Sequence, residues 1–199
     1  MSACIYIEGG GQSKALRIVC RQEFRRLFER CGFSERMPVL KASGSRSEAY
    51  GDFRIAHTSG KAGYVALLVD SEDPVVDPEK TWDHLRNRDG WERPNGADDK
   101  QVLFMTTCME TWIVADRDSL RQHYGSELQE SALPSLTKLE QRARREIQDG
   151  LRHATRNCSN AYKKGKRSFE ALGILSPETL ESSLPAFRRV KRILTEKLQ

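Results

Sequence analysis

Three groups of carboxylates each stand where a run of strand-forming residues ends. Glu8 closes Cys4-Ile5-Tyr6-Ile7 and precedes Gly9-Gly10-Gly11. Asp70, Glu72 and Asp73 follow the apolar run Tyr64–Val69, and Glu110 follows Val102-Leu103-Phe104-Met105. In an open parallel sheet, ligands bind in the crevice outside the carboxyl ends of the strands, so acids from different strands can converge there. Clustered carboxylate oxygens suit Mg²⁺ or Mn²⁺. The chemistry this pattern points to is a divalent-metal site acting on phosphates.

Each acid has a competing explanation. A glutamate at the end of a buried strand needs a cation, either a metal or an arginine at a helix start. The glycines after Glu8 let a phosphate or an ion approach the backbone. Neither the phosphate-loop pattern nor the dinucleotide fingerprint is present in this stretch. In an extended segment Asp70 and Glu72 share a face, and three carboxylates this close repel unless a cation neutralises them. An Asx turn leading into Pro74 accounts for Asp73 as well, so the choice between Glu72 and Asp73 as ligand is open. Glu110 fits either a ligand or a helix start, where the dipole favours negative charge. Asp116 is expected to face solvent.

A basic segment, Tyr162-Lys163-Lys164-Gly165-Lys166-Arg167, is the other chemical element. Lys163, Lys164, Lys166 and Arg167 can hold a phosphate backbone, and Lys164 or Lys166 can stabilise charge developing at a scissile phosphate. A solvated loop explains the same residues. His84 and Arg88 lie in a stretch expected to overhang the site and are candidate nucleic-acid contacts. The four histidines are too scattered for zinc.

These groups require an α/β framework. Strands are expected at 4–8, 38–42, 64–69 and 102–106, with helices at 14–30, 47–57 and 109–121. The β-α-β-α-β order implies right-handed crossovers and a parallel sheet of about four strands flanked by helices. Residues 74–100, rich in Pro and Asp, read as a long irregular connection of the kind that is often functional. Beyond Pro134 helices are expected near 136–156, 168–175 and 184–198. The organisation is an α/β domain over 1–134 with a basic helical extension over 135–199 packed on it.

Composition sets further bounds. Residues 135–199 hold 15 Lys and Arg against 7 Asp and Glu, whereas residues 1–134 hold 18 against 21. An acidic body beside a basic region fits a polyanionic substrate such as nucleic acid. No apolar run approaches the ~20 residues of a membrane helix, and Met1–Ile5 reads as the lead-in to a strand rather than a secretion signal. The five cysteines are odd in number, scattered and without a C-x-x-C pair, which argues against disulfides or structural zinc. The cytosol is the expected compartment.

The acids in this order resemble the TOPRIM domain: a glutamate-glycine after the first strand, an acidic pair after the third and further acids after the fourth. The spacing is most similar to the nuclease branch associated with overcoming-lysogenization-defect (OLD) proteins, in which a glutamate-rich segment opens a later helix, as at Cys108–Trp112. Tyr6–Gly11, Asp70–Val75, Asp83–Arg86, Arg88–Trp91, Met109–Asp116 and Tyr162–Phe169 also resemble a bacterial family, the domain-of-unknown-function family 4276, over nearly the full length. The TOPRIM resemblance implies metal-dependent chemistry at phosphodiesters, with Glu8, Asp70, Glu72 and Glu110 as the matching acids. Glu72 departs from that pattern, which has aspartate there. The expected activity is Mg²⁺- or Mn²⁺-dependent cleavage of DNA or RNA. Glu8, Asp70 and Glu72 would hold one or two metals, with Asp73 and Glu110 as outer or second-metal ligands and Lys164 at the phosphate. Relatives of this kind imply a separate ATPase partner, since the chain has no Walker motif, and a phage-defence setting. The alternatives are a non-catalytic nucleic-acid-binding or regulatory partner of an ATPase, and nucleotidyl transfer.

Overall fold

The computed structural model describes residues 3–199; Met1 and Ser2, read as part of the lead-in to the first strand, lie outside the described residues. Four parallel strands, β1 (Ala3–Gly10), β2 (Val39–Gly44), β3 (Tyr64–Asp70) and β4 (Val102–Met105), form one sheet in the order β2-β1-β3-β4. The chain steps outward from β1 to β2 and then returns past β1 to β3. The sheet therefore reverses direction between β1 and β3, and a crevice opens at their carboxyl ends. Glu8 and Asp70 stand on either side of it.

Alternation along the strands sends side chains to two cores. One face, with Cys4, Tyr6, Val65, Leu67 and Phe104, packs against α2 (Arg46–Ser59) and α3 (Thr81–Asp89) through Tyr50, Phe53, Trp82 and Leu85. The other face, with Ile5, Ile7, Ala66, Leu68 and Leu103, packs against α1 (Lys14–Phe28) and the helices of the second half of the chain. Helix α1 buries Cys20, Phe24, Leu27 and Phe28 at helical spacing, and Ser13 caps it by accepting from the Leu16 N–H. Helix α2 opens with a reciprocal Ser45–Glu48 capping box. No helix among the described residues is long and apolar enough to cross a membrane.

Two expectations about the elements require correction. The segment 74–100 is not irregular throughout, because Thr81–Asp89 forms α3. Its N-terminus is held by Asp99, whose carboxylate accepts from the Thr81 hydroxyl and the Trp82 N–H. With the anchoring acid eighteen residues from Thr81, no local capping pattern announces the helix. The helix expected over 109–121 is two, α4 (Met109–Ala115) and α5 (Arg117–Tyr124), broken at Asp116. Asp116 does not face solvent: it is 1% exposed, caps α5 through the Ser119 N–H at 3.1 Å and accepts the Ser176 N–H at 2.7 Å.

The remaining helices are α6 (Arg144–Thr155), α7 (Lys166–Gly173), α8 (Pro177–Ser183) and α9 (Pro185–Lys197). The sequence pattern anticipates all but α8, and α6 starts later than expected. These helices belong to the same core as the strands: Phe169 and Leu172 join the α1 face, and Phe187 meets Trp112 edge-on at 4.9 Å. Arg189 on α9 is buried and donates to the Val102 carbonyl at 3.0 Å and the Asp99 carbonyl at 2.8 Å.

Asp116 thus joins α5 to the start of α8 from a buried position. Asp116→Ala leaves two buried N–H groups without partners and is expected to cost about 2–3 kcal/mol in urea denaturation. Asp116→Asn, which keeps an acceptor, should cost less.

Candidate metal centre

The strand ends bring Glu8, Asp70 and Glu72 together. One carboxylate oxygen from each lies within 4.8 Å of the others, and among the described residues these form the sole such group of three potential metal-ligating side chains. Glu8 sits where β1 slips in register against Gly44 of β2. It accepts from the Asp70 backbone N–H at 3.3 Å, which ties the two strand ends across the crevice. Asp70 is 7% exposed, and its Oδ1 accepts the Met109 N–H at 2.8 Å.

Glu72 reaches the cluster by a route other than the expected strand alternation. Its backbone is left-handed, with φ of 68°, a conformation unusual for a non-glycine residue. The Glu72 N–H donating to the Thr107 carbonyl at 2.8 Å holds it there. This turn aims Glu72 inward and Asp73 outward. Asp73 is exposed and pairs with Arg88 at 3.0 Å, so it stands apart from the three-acid group. Of the two, Glu72 is the one grouped with Glu8 and Asp70.

Glu110 is 2% exposed at the first turn of α4 and borders the same cavity. Both of its oxygens are engaged, accepting from the Tyr162 hydroxyl at 2.5 Å and from Gln148 Nε2 at 3.1 Å. It faces the crevice without joining the three-acid group.

Two arginines that the sequence reading did not name close the arrangement. Arg46, the first residue of α2, has Nη1 3.4 Å from Glu8 and donating to the Asp70 carbonyl, while Asp89 binds the rest of its guanidinium. Arg144, the first residue of α6, donates to Glu72 and lies 3.6 Å from Asp70. Arg46 is the arginine at a helix start expected as one partner for Glu8. Arg144 is 72 residues from Glu72 in the chain, and no local pattern connects them.

Burial raises the Glu8 carboxyl above its ordinary range, against the opposing pull of Arg46. Burial also raises Asp70 well above its range, and the neighbouring Glu8 and Glu110 charges push the same way. Arg46 and Arg88 are shared with Asp89 and Asp73, so the carboxylates around the crevice outnumber the guanidinium groups of Arg46, Arg88 and Arg144, an excess of acidic groups in a poorly solvated place. Hard oxygen donors with that excess fit Mg²⁺ or Mn²⁺.

The cavity beside the acids has a volume of about 330 Å³ and combines Glu8, Asp70 and Glu110 with Lys164 and the apolar side chains of Leu16, Met109 and Phe169. Of the basic segment, Lys164 lines it. Lys163 is exposed, Lys166 pairs with Glu170 at 3.6 Å, and Arg167 donates to the Ala161 and Ser159 carbonyls, closing its own loop. His84 is half-buried on α3, where its Nε2 donates to the Ser71 carbonyl at 2.9 Å and its ring meets Phe104 edge-on. It therefore braces the exit of β3. Arg88 lies near Glu72 at 3.6 Å besides pairing with Asp73.

The glycines after Glu8 serve mainly to let α1 approach. A Cβ on Gly10, whose φ is 83°, would lie 2.7 Å from Arg17 Cα, and one on Gly9 would meet Cys20 and Phe169. Gly11 alone of the three opens onto free space.

A family model described as Domain of unknown function (DUF4276) matches residues 7–194. No curated protein and no solved structure matches the chain.

Because Glu8 and Asp70 keep their protons to higher pH in the folded state than in the unfolded chain, the metal-free protein loses stability as pH rises. The loss begins near the ordinary carboxylate range, about pH 4, and continues through the raised values. In EDTA, Asp70→Asn should be more stable than the wild type at pH 8 and less pH-sensitive. Urea denaturation at pH 5 and pH 8 measures both; an unaltered pH slope in the variant would contradict the electrostatic account.

Proposed function

The chain belongs to the DUF4276 family, and we propose that it is a Mg²⁺- or Mn²⁺-dependent nuclease that hydrolyses phosphodiesters of DNA or RNA. The observation that carries this reading is the meeting of Glu8, Asp70 and Glu72 at the reversal point of a parallel sheet, beside a cavity that Lys164 lines. The reading accords with the resemblance of the order of these same acids to the TOPRIM domain.

Glu8, Asp70 and Glu72 would hold the cation, with Glu110 contributing negative charge from across the crevice. A bound divalent cation supplies Lewis-acid stabilisation of the phosphoryl oxygen and lowers the pKa of its water. In an alternative role Glu8 would leave the cation to Asp70 and Glu72 and act as general base toward an attacking water. Lys164 meets the phosphate at the cavity, where a positioned cation stabilises developing charge. The cavity lies at the small end of the range for ligand sites, roughly 300–1,000 Å³. That is room for a nucleotide unit rather than a duplex. Tyr162 and Gln148 hold Glu110 in place.

The resemblance to the OLD branch extends the proposal to a separate ATPase partner and a phage-defence role. A cytosolic setting accords with the five free thiols.

One observation favours a second reading, a non-catalytic nucleic-acid-binding or regulatory partner of an ATPase. Arg46 and Arg144 already give Glu8, Asp70 and Glu72 cationic partners within the chain itself. Chelation separates the two readings. For a nuclease, EDTA abolishes cleavage of labelled oligonucleotides, and Glu8→Gln or Asp70→Asn lowers it by at least about 100-fold while circular dichroism stays native. Lys164→Ala should lower kcat more than it raises KM, as expected for loss of a cation that stabilises developing charge. Salt-sensitive binding indifferent to EDTA, with no cleavage of DNA or RNA, would establish the second reading instead.

A further inference from the structure

The arginines that face the acids are tied to them in different ways, and Arg88, 3.6 Å from Glu72, is anchored on Asp73 and Asp89. Arg46 has its own anchorage. Its Nε and Nη2 bind both oxygens of Asp89 at 3.1 and 2.7 Å, and Nη1 donates to the Asp70 carbonyl. Its guanidinium also lies 4.9 Å from the ring centroid of Trp91, which in turn stacks on Tyr50 at 4.3 Å. Of the three clustered acids, Glu8 alone is its side-chain partner, at 3.4 Å.

Arg144 has no such anchorage. Its Nη1 donates to Glu72 and its Nη2 lies 3.6 Å from Asp70 Oδ2. It makes no other hydrogen bond or ion pair among the described residues. Both partners belong to the group that would hold a cation, and the side chain is 24% exposed. It extends from the first position of α6, a twelve-residue helix whose N-terminus has no side-chain cap.

We infer that Arg144 couples cation binding to phosphate binding: it competes with the cation for Asp70 and Glu72, and turns to a substrate phosphate when the cation displaces it. This rests on the metal-site reading above. A dication on Asp70 and Glu72 takes the negative charge that holds Arg144 and repels the guanidinium at short range. Arg46 keeps Asp89, the Asp70 carbonyl and Trp91 through the same change. The displaced guanidinium keeps its planar fork of donors, and phosphate oxygens match that fork. The positive end of the α6 dipole favours an anion at the same place. Without a phosphate Arg144 weakens cation binding; with one present, the competition is relieved.

Calorimetric titration of Mn²⁺ into the full chain tests this, with and without thymidine 5′-monophosphate as the phosphate probe. Arg144→Gln should bind Mn²⁺ about tenfold more tightly than wild type, as expected for removal of a like charge a few ångströms away. The monophosphate should tighten Mn²⁺ binding more in wild type than in Arg144→Gln, since direct metal–phosphate contact contributes equally to both. Equal Mn²⁺ affinities with equal gains would overturn the coupling and leave the metal centre standing. Failure of both proteins to bind Mn²⁺ would remove the metal centre and the coupling together.

A measurement on wild type guards against misfolding of the variant. In spectra of ¹⁵N-arginine protein, assigned with Arg144→Lys and Arg46→Lys, Mg²⁺ should move the Arg144 Nε signal more than that of Arg46. Signals that both stay fixed on saturation with Mg²⁺ would refute the displacement.

Discussion

Negative charge crowded at the end of a parallel sheet is the constraint on which the rest of this structure depends. Glu8 and Asp70 flank the crevice because β1 and β3 are neighbours that run in the same direction, and Glu72 joins them through a left-handed turn. Carboxylates this close, with so little water, are unstable without compensating cations and hydrogen-bond donors. Much of the surrounding architecture supplies them. Backbone N–H groups reach Asp70 and Glu8, the tyrosine and glutamine reach Glu110, and α2 and α6 each begin with an arginine directed at the acids.

The helical second half of the chain is part of this arrangement. Arg144, Gln148, Tyr162 and Lys164 all come from beyond residue 134, and they face the acids clustered at the ends of the strands and the start of α4. The same helices complete one face of the sheet core, with Phe169 close to Gly9 and Phe187 against Trp112. Packing and electrostatics are therefore linked: the apolar surfaces that dock α6 and α7 also deliver cations and donors to the crevice. Arg46 and Arg144 illustrate two degrees of commitment. One is locked between Asp89 and an aromatic ring, and the other is held by the clustered acids alone.

Strands and long amphipathic helices were legible because their signal is local. The run Tyr64–Val69 is buried on both faces, as its continuous apolar character requires, and α1 repeats its apolar side chains at helical spacing. Helix α3 was not legible, since its sole buried apolar side chains are Trp82 and Leu85 and its cap is the distant Asp99. Asp116 looked like a surface residue because its second partner, the Ser176 N–H, is sixty positions away. His84 is engaged with the Ser71 carbonyl thirteen residues away, and Arg167 with carbonyls of its own loop, neither of which the residue types announce.

From the sequence alone came the parallel α/β framework and the identity of the three central acids, because strand character and the position of a carboxylate after a strand are properties of contiguous residues. Tertiary structure decided what surrounds those acids: the inward turn of Glu72 over Asp73, the pairing of Glu110 with Tyr162, and the placing of Arg46 and Arg144. The physical reason is that charge compensation depends on distance in space. A guanidinium finds its carboxylate through the packing of helices, and residues 72 positions apart carry no local mark of that meeting.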